Sequence, residues 1–283
     1  MAPKTPRNWF ITGCSTGFGR HLAEAALKQG DRVIATARKV EQIQDLEQKY
    51  PETAKSLMLD VTDTTTIQNA LKEGLKVFGK IDVLVNNAGY GLSGAVEEVS
   101  DQQIRDQFET NVFGFLNVTR AFLPFFRQQG SGHILNISSL AGRIGIPTMG
   151  IYNGSKFALE GISESLAQEL KPFGIKVTIV EPGGFATDFS SRSLAVASPM
   201  PEYQSLREEM DKYRANFVLG DVPTGVQTIL KIVDMTEPPL RLVLGPNSLP
   251  RLLQKLSSDL EAYKLGEALW QTSTPNGKRM NDK

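Results

Sequence analysis

The stretch Trp9-Phe10-Ile11-Thr12-Gly13-Cys14-Ser15-Thr16-Gly17-Phe18-Gly19-Arg20 decides the fold. An apolar run ends at Thr12, and three glycines then carry the chain straight into an amphipathic pattern over residues 20–28. Glycine lets backbone amides come close to a bound group, and a helix starting at such a turn adds free N–H donors and a favourable dipole for an anion. A strand, a glycine-rich turn and a helix in the first unit of a chain form an expected pyrophosphate site. Glycines also close ordinary strand-to-helix connections, so the turn alone leaves both readings open.

Working outward, apolar runs recur at residues 9–12, 32–36, 56–59, 83–85, 133–137 and 176–180. Helical periodicity separates them at 20–28, 66–77, 102–122 and 152–170, with apolar residues three and four apart. Such alternation predicts an α/β fold, a doubly wound parallel sheet with helices on both faces. The regularity lapses after Thr187. Residues 188–220 hold a Ser-rich stretch, Pro199, Pro201 and a charged helical pattern over 202–215, which predicts a substrate lid. Helix is expected again over 221–235 and a strand over 240–244, while the polar stretch 272–283 is expected to fray.

The chain has 283 residues, 40% of them hydrophobic, enough for one substantial core, and a single domain over 1–283 is the expectation. Lys plus Arg equals Asp plus Glu at 31 each, so no overall field draws in nucleic acid or an anionic membrane. One cysteine, Cys14, excludes an internal disulfide framework. It is either a reactive thiol beside phosphate or a small residue that fits the turn. His21 and His133 have no partner at ligand spacing, so no metal is expected. No secretory leader or membrane span is read, and the expected location is cytoplasmic.

The second apolar run closes in Ala35-Thr36-Ala37-Arg38, where the adenosine ribose of a dinucleotide would lie. An NAD(H) site usually places a carboxylate there, whereas no acid precedes Val40 and Arg38 is suited to a 2′-phosphate. NADP(H) is therefore favoured over NAD(H). Asp60 either accepts from the adenine amino group or closes the turn into the next helix.

Tyr152-Asn153-Gly154-Ser155-Lys156 sets a phenol and an ammonium four residues apart on one helix face. A phenol with an ordinary pKa of about 10 becomes a usable proton donor and acceptor when a cation adjoins it. Ser138 and Ser139 end the run at 133–137, at the strand ends that face a ligand crevice, where a hydroxyl either holds a substrate oxygen or satisfies the turn. Asn86-Asn87-Ala88-Gly89 ends another strand at the same edge. Asn111 interrupts an apolar helical run, and there it either pins the helix or anchors a water next to Lys156.

Together these residues resemble the short-chain dehydrogenase/reductase family over residues 9–187, on the glycine turn at 12–19, Asn86 to Gly89, Asn111, Ser139, the Tyr-x-x-x-Lys pair, and Pro182-Gly183 followed by Thr187. More narrowly, the chain is similar to a microbial, often fungal, oxidoreductase group related to retinol and 17β-hydroxysteroid dehydrogenases. The resemblance implies a Rossmann-like seven-stranded sheet and a catalytic set of Asn111, Ser139, Tyr152 and Lys156. In it, Tyr152 is the general acid/base, Ser139 orients the substrate oxygen, Lys156 lowers the tyrosine pKa and binds ribose, and Asn111 supports a proton relay. The spacing usual in that family selects Ser139 over Ser138. The expected cofactor contacts are Gly13, Ser15, Thr16, Gly17, Phe18, Gly19, Arg38, Asp60, Val61, Asn87, Ala88, Gly89, Arg120, Tyr152, Lys156, Pro182, Gly183 and Thr187, with a solvated role for Arg120 equally open. A homodimer or homotetramer is also implied.

The resulting expectation is hydride transfer between NADP(H) and a carbonyl or secondary alcohol of a mostly apolar, medium-sized substrate. Phe185, Phe189, Met149, Ile144 and Tyr90 near the expected crevice motivate the apolar reading. Two alternatives keep the same fold: a nucleotide-sensing or scaffold protein without turnover, and a non-redox biosynthetic enzyme using the same site.

Overall fold

The computed structural model describes residues 5–187, 189, 192–216, 218–267 and 269. In chain order its elements are β1 (Asn8–Ile11), α1 (Gly17–Lys28), β2 (Arg32–Ala37), α2 (Gln44–Lys49), β3 (Ala54–Met58), α3 (Thr64–Phe78), β4 (Val83–Asn86) and β5 (Gly91–Ser93). There follow α4 (Asp101–Phe108), a π-helical segment (Glu109–Gly114), α5 (Phe115–Gln129), β6 (Gly132–Ile137), α6 (Gly150–Leu170) and β7 (Ile175–Pro182). The remainder is β8 (Leu194–Val196), α7 (Gln204–Ala215), α8 (Val222–Asp234), β9 (Arg241–Leu244) and α9 (Ser248–Leu265).

Seven strands form one parallel sheet in the order β3-β2-β1-β4-β6-β7-β9. Alternation along β1 divides the core. Trp9 and Ile11 pack on one face with Leu22, Ala26, Val226 and Ile229 from α1 and α8. Phe10 packs on the other with Ile67 and Leu71 of α3 and Phe122 and Phe126 of α5, meeting Phe122 edge-on at 4.8 Å. Strands covered on both faces must be apolar throughout, which is why the sequence shows continuous runs there. The chain order turns from leftward to rightward between β1 and β4, so the loops leaving these two strands diverge and open a crevice at their C-terminal ends.

Several boundaries differ from expectation. The helix expected over 102–122 is three pieces, because one extra residue per turn is inserted at Glu109–Gly114, around the buried Asn111. The third strand begins two residues earlier and ends one earlier, with Val33 pairing Ala54. Helix α9 and the small parallel pair of β5 with β8 were not expected. β8 lies within the expected lid, where it ties that segment to the chain just past β4. The stretch 272–283, expected to fray, lies outside the described residues. Among the described residues, no helix is long and apolar enough to cross a membrane.

Candidate active site

At the glycine turn, Gly13 and Gly17 have φ of +71° and +60°, backbone that side chains rarely adopt. A Cβ at Gly19 would stand 2.4 Å from Asn87 Nδ2 and 2.5 Å from the Gly13 carbonyl, so no side chain fits. A Cβ at Gly17 would meet nothing within 4 Å, so this glycine faces open space. α1 begins there with Thr16 as its N-cap, and no side chain caps the first-turn amides. A cradle of glycine backbone at an uncapped helix start suits a pyrophosphate.

The two loops that border the crevice are laced together. Thr12 Oγ1 accepts from the amides of Asn87 and Ala88, both at 3.0 Å, and donates to the Val85 carbonyl at 3.2 Å. Asn87 Nδ2 donates back to the carbonyls of Thr12 at 2.8 Å and Gly13 at 3.0 Å. Sequence reasoning missed Thr12 as a structural hub, although a hydroxyl ending a buried apolar run was a signal for it. Phe18 stacks edge-on against Phe185 at 4.9 Å, and that ring in turn fills the space against Gly220, Gly225 and Gly245. Both aromatic rings therefore pack the wall behind the turn. Cys14 is fully buried, donates to the Ile11 carbonyl at 3.3 Å and has its thiol pushed up to about 12 by burial, which selects the space-filling reading.

Arg38 is exposed just past β2, and among the described residues no carboxylate pairs with it. Its charge acts weakly on Tyr90, in the loop past β4. Asp60 Oδ1 accepts from the amide and hydroxyl of Thr62 at 3.0 and 2.8 Å, closing the turn after β3, while Asp63 caps α3. Val61 is buried against Gly114. Arg120 is exposed on α5, next to Thr119, whose buried hydroxyl accepts from Asn86.

The chemistry-bearing groups gather where β6, β7 and α6 meet. Lys156 is buried, and its Nζ donates to the Ile137 carbonyl at 2.7 Å and lies 6.0 Å from the centre of the Tyr152 ring. Burial lowers this ammonium to about 8, against which Glu160 works. Burial pushes the Tyr152 phenol up to about 12, with a Ser139 hydrogen bond opposing. Lys156 is not among the groups acting on the phenol in this arrangement, so Tyr152 is a neutral O–H near pH 7. Ser139 Oγ accepts from the Ala141 amide at 3.1 Å and reaches the Pro182 carbonyl at 3.4 Å, so this serine both closes its turn and faces Tyr152. Phe189 lies 5.6 Å from the Tyr152 ring.

Asn111 is 1% exposed and fully engaged. Its Oδ1 accepts from the Tyr90 amide at 3.1 Å, and its Nδ2 donates to the Tyr90 carbonyl at 2.9 Å and to Ser155 Oγ at 3.2 Å. The side chain thus pins the π segment to the loop past β4 and to α6. Asn111 Oδ1 and Lys156 Nζ both border Gly89, where a Cβ would lie 3.0 Å from the one and 3.8 Å from the other. Ser155 and Gln107, which donates to the Tyr90 carbonyl at 2.9 Å, were not expected in this network. Across the crevice floor Pro182 ends β7, the Gly183 amide donates to the Leu244 carbonyl at 2.9 Å, and Thr187 Oγ1 accepts from the Phe189 amide at 3.2 Å.

Comparison with known proteins agrees with this geometry. The family described as short chain dehydrogenase matches residues 7–195. Oxidoreductase BOA17 of Botryotinia fuckeliana is 45% identical over 246 residues, covering 85% of this chain and 89% of that one. Human retinol dehydrogenase 8 is 36% identical over 254 residues, covering 83% and 80%. The crystal structure of a short-chain dehydrogenase from Streptomyces avermitilis superposes with a TM-score of 0.90 at 39% identity, covering 95% of this chain and 99% of that one. With a fungal oxidoreductase and a retinol dehydrogenase among its relatives, and with this sheet and crevice, the chain belongs to the short-chain dehydrogenase/reductase family of oxidoreductases.

Proposed function

We propose that this protein is an NADP(H)-dependent reductase of ketones, or dehydrogenase of the matching secondary alcohols, acting on a mostly apolar, medium-sized substrate. The observation that carries the reading is the meeting of Ser139, Tyr152 and Lys156 at the end of the crevice that starts at the glycine turn. When bound, the nicotinamide cofactor supplies or takes up the hydride. Gly13, Ser15, Thr16, Gly17 and Gly19 would hold its pyrophosphate, Arg38 its 2′-phosphate, and Lys156 the ribose near the nicotinamide.

Ser139 donates to the substrate oxygen and orients it towards Tyr152. Tyr152 transfers its phenolic proton to that oxygen as negative charge develops. A phenol raised by burial holds its proton throughout the neutral range, as a proton donor to a carbonyl oxygen must. Lys156, charged below about 8, stabilises the phenolate left behind. Asn111 holds the loop bearing Tyr90, next to Gly89, so its first contribution is to fix the wall of the site near Lys156. Phe189, its ring centre 5.6 Å from that of Tyr152, and part-buried Met149 and Ile144, which precede Tyr152 in sequence, support an apolar substrate. The segment 188–220 is proposed as the lid: its β8 joins β5, and Arg207 of α7 pairs with the buried Glu98 beyond β5.

Purified protein given NADPH and a panel of hydrophobic ketones is expected to consume the reduced cofactor with formation of alcohol. Absence of turnover across the panel with both NADPH and NADH, in either direction, would overturn the proposal.

A further inference from the structure

Tyr152 has an aromatic neighbour to which the reaction above gives no part. The ring centre of Phe189 lies 5.6 Å from that of Tyr152, with the planes inclined at 53°. Aromatic rings whose centres are about 4.5–7 Å apart are in contact, so no substrate group passes between these two. Phe189 is part-buried, and its amide is held by Thr187 Oγ1 at 3.2 Å.

The place of this ring depends on Gly91 of β5. A Cβ there would stand 2.6 Å from Phe189 Cζ, 3.1 Å from Phe189 Cε1 and 2.9 Å from Leu194 Cδ1. The φ of Gly91 is not positive, so its backbone accepts alanine, and what requires a glycine is the space taken by the Phe189 ring and Leu194. β5 is also fixed from both sides. The Gly91 amide donates to the Ser193 carbonyl at 2.8 Å, and the Ala197 amide to the Ser93 carbonyl at 2.8 Å. The Gly94 amide donates to the Thr148 carbonyl at 2.7 Å, which ties the chain just past β5 to the turn before α6. Phe189 is thus seated between the backbone of β5 and the ring of Tyr152. A carbonyl oxygen within hydrogen-bond reach of the Tyr152 hydroxyl brings the carbons beside the carbonyl up to the same ring.

We propose that Phe189, seated by Gly91, is a specificity-determining residue of this site, closing its side of Tyr152 to branched groups and selecting ketones with one slender substituent, such as methyl, on the carbonyl carbon. This rests on the carbonyl reduction proposed above. The larger substituent then lies away from Phe189. A ring that served packing alone would leave the choice between slender and branched ketones unchanged when removed.

The test uses acetophenone and isobutyrophenone, which share the phenyl group and differ as methyl against isopropyl. Their dissociation constants are measured by ligand-observed NMR titration of the protein saturated with oxidised NADP, a complex that cannot turn over, and their kcat/KM values from NADPH oxidation. The parent is expected to favour acetophenone by about tenfold or more in both measurements, the scale of a misfit of one or two carbons in an apolar pocket. Phe189→Ala is expected to cut that preference about fivefold or more, chiefly through a gain for isobutyrophenone. Should Phe189→Ala fail to fold, Phe189→Leu is expected to give a preference between the two. Gly91→Ala, which crowds the ring, is expected to weaken acetophenone about tenfold alone and less than about twofold on top of Phe189→Ala, because contacting residues couple. No binding or equal binding of the two ketones by the parent, an unchanged preference without the Phe189 ring, or an equal effect of Gly91→Ala in both backgrounds overturns the proposal. If the parent binds acetophenone and no form reduces it, the reduction fails while the binding preference still decides the role of Phe189.

Discussion

Tyr152 is 5% exposed, and burial makes its proton hard to lose, so the cost of ionising it is met only when charge is moving elsewhere in the site. A Ser139 hydrogen bond opposes that cost, and Lys156 Nζ lies 6.0 Å from the ring centre. Arg38 is the opposite kind of residue, solvated and without a carboxylate partner among the described residues, available to a phosphate. Arg38→Ser is expected to raise KM for NADPH about tenfold or more, the effect of losing a charge-assisted pair of about 1.5–3 kcal/mol, with KM for NADH little changed. Steady-state kinetics with both cofactors checks this, and equal loss for the two would place Arg38 outside the ribose site. At this scale the residue types in the sequence were informative but their engagements were not. The Nδ2 of Asn87 joins two loops and the Oδ1 of Asp60 closes its turn onto Thr62, engagements that the sequence did not show. Which lone pairs remain free depends on neighbours that are distant in sequence.

Among the elements, the glycine turn and β4 form one unit through Thr12 and Asn87. Gly19→Ala would drive a methyl to 2.4 Å from Asn87 Nδ2 and 2.5 Å from the Gly13 carbonyl. Overpacking of this order costs about 1–3 kcal/mol. The variant is expected to unfold at lower urea concentration and to lose NADPH binding measured by fluorescence, whereas parent-like values for both would show that the turn can relax. Between β6, β7 and β9, Thr178 Oγ1 donates to the Pro239 carbonyl, so its remaining contact at 3.0 Å requires the N–H of His133 at Nε2. Burial, with Lys176 and Arg7 nearby, lowers His133 to about 3 from its ordinary 6.5. The neutral ring is thus favoured on folding: its contribution is intact above pH 6.5 and is lost as the pH falls towards 3. The loss amounts to at most about 5 kcal/mol by linkage. Chemical denaturation of the parent and of His133→Gln across this range is expected to show the shallower decline in the variant, and parallel curves would contradict it. The continuous run at 133–137 gave no sign of this bond, since periodicity records burial and not partners.

For the molecule as a whole, a parallel sheet covered by helices on both faces was legible from the alternation of apolar runs and helical periodicity, its seven strands came from the family resemblance, and its strand order emerges only from the structure. The π segment was not legible, since the apolar spacing of residues 102–122 is nearly the same whether or not one turn is widened, and only Asn111 marked the place. β5 and β8 are three residues each and pair across about a hundred positions, too short for a pattern. The candidate site residues are therefore readable in order along the chain, while the tie of the segment beyond Thr187 to the chain past β4 emerges only from pairing. The most direct measurement is NADPH oxidation by Tyr152→Phe with a ketone that the parent reduces, alongside NADPH binding by fluorescence titration. Loss of the phenolic proton is expected to cut kcat by about 100-fold to 10,000-fold with binding within about twofold of the parent. A variant that binds NADPH and still reduces the ketone at the parent rate would remove Tyr152 from the chemistry.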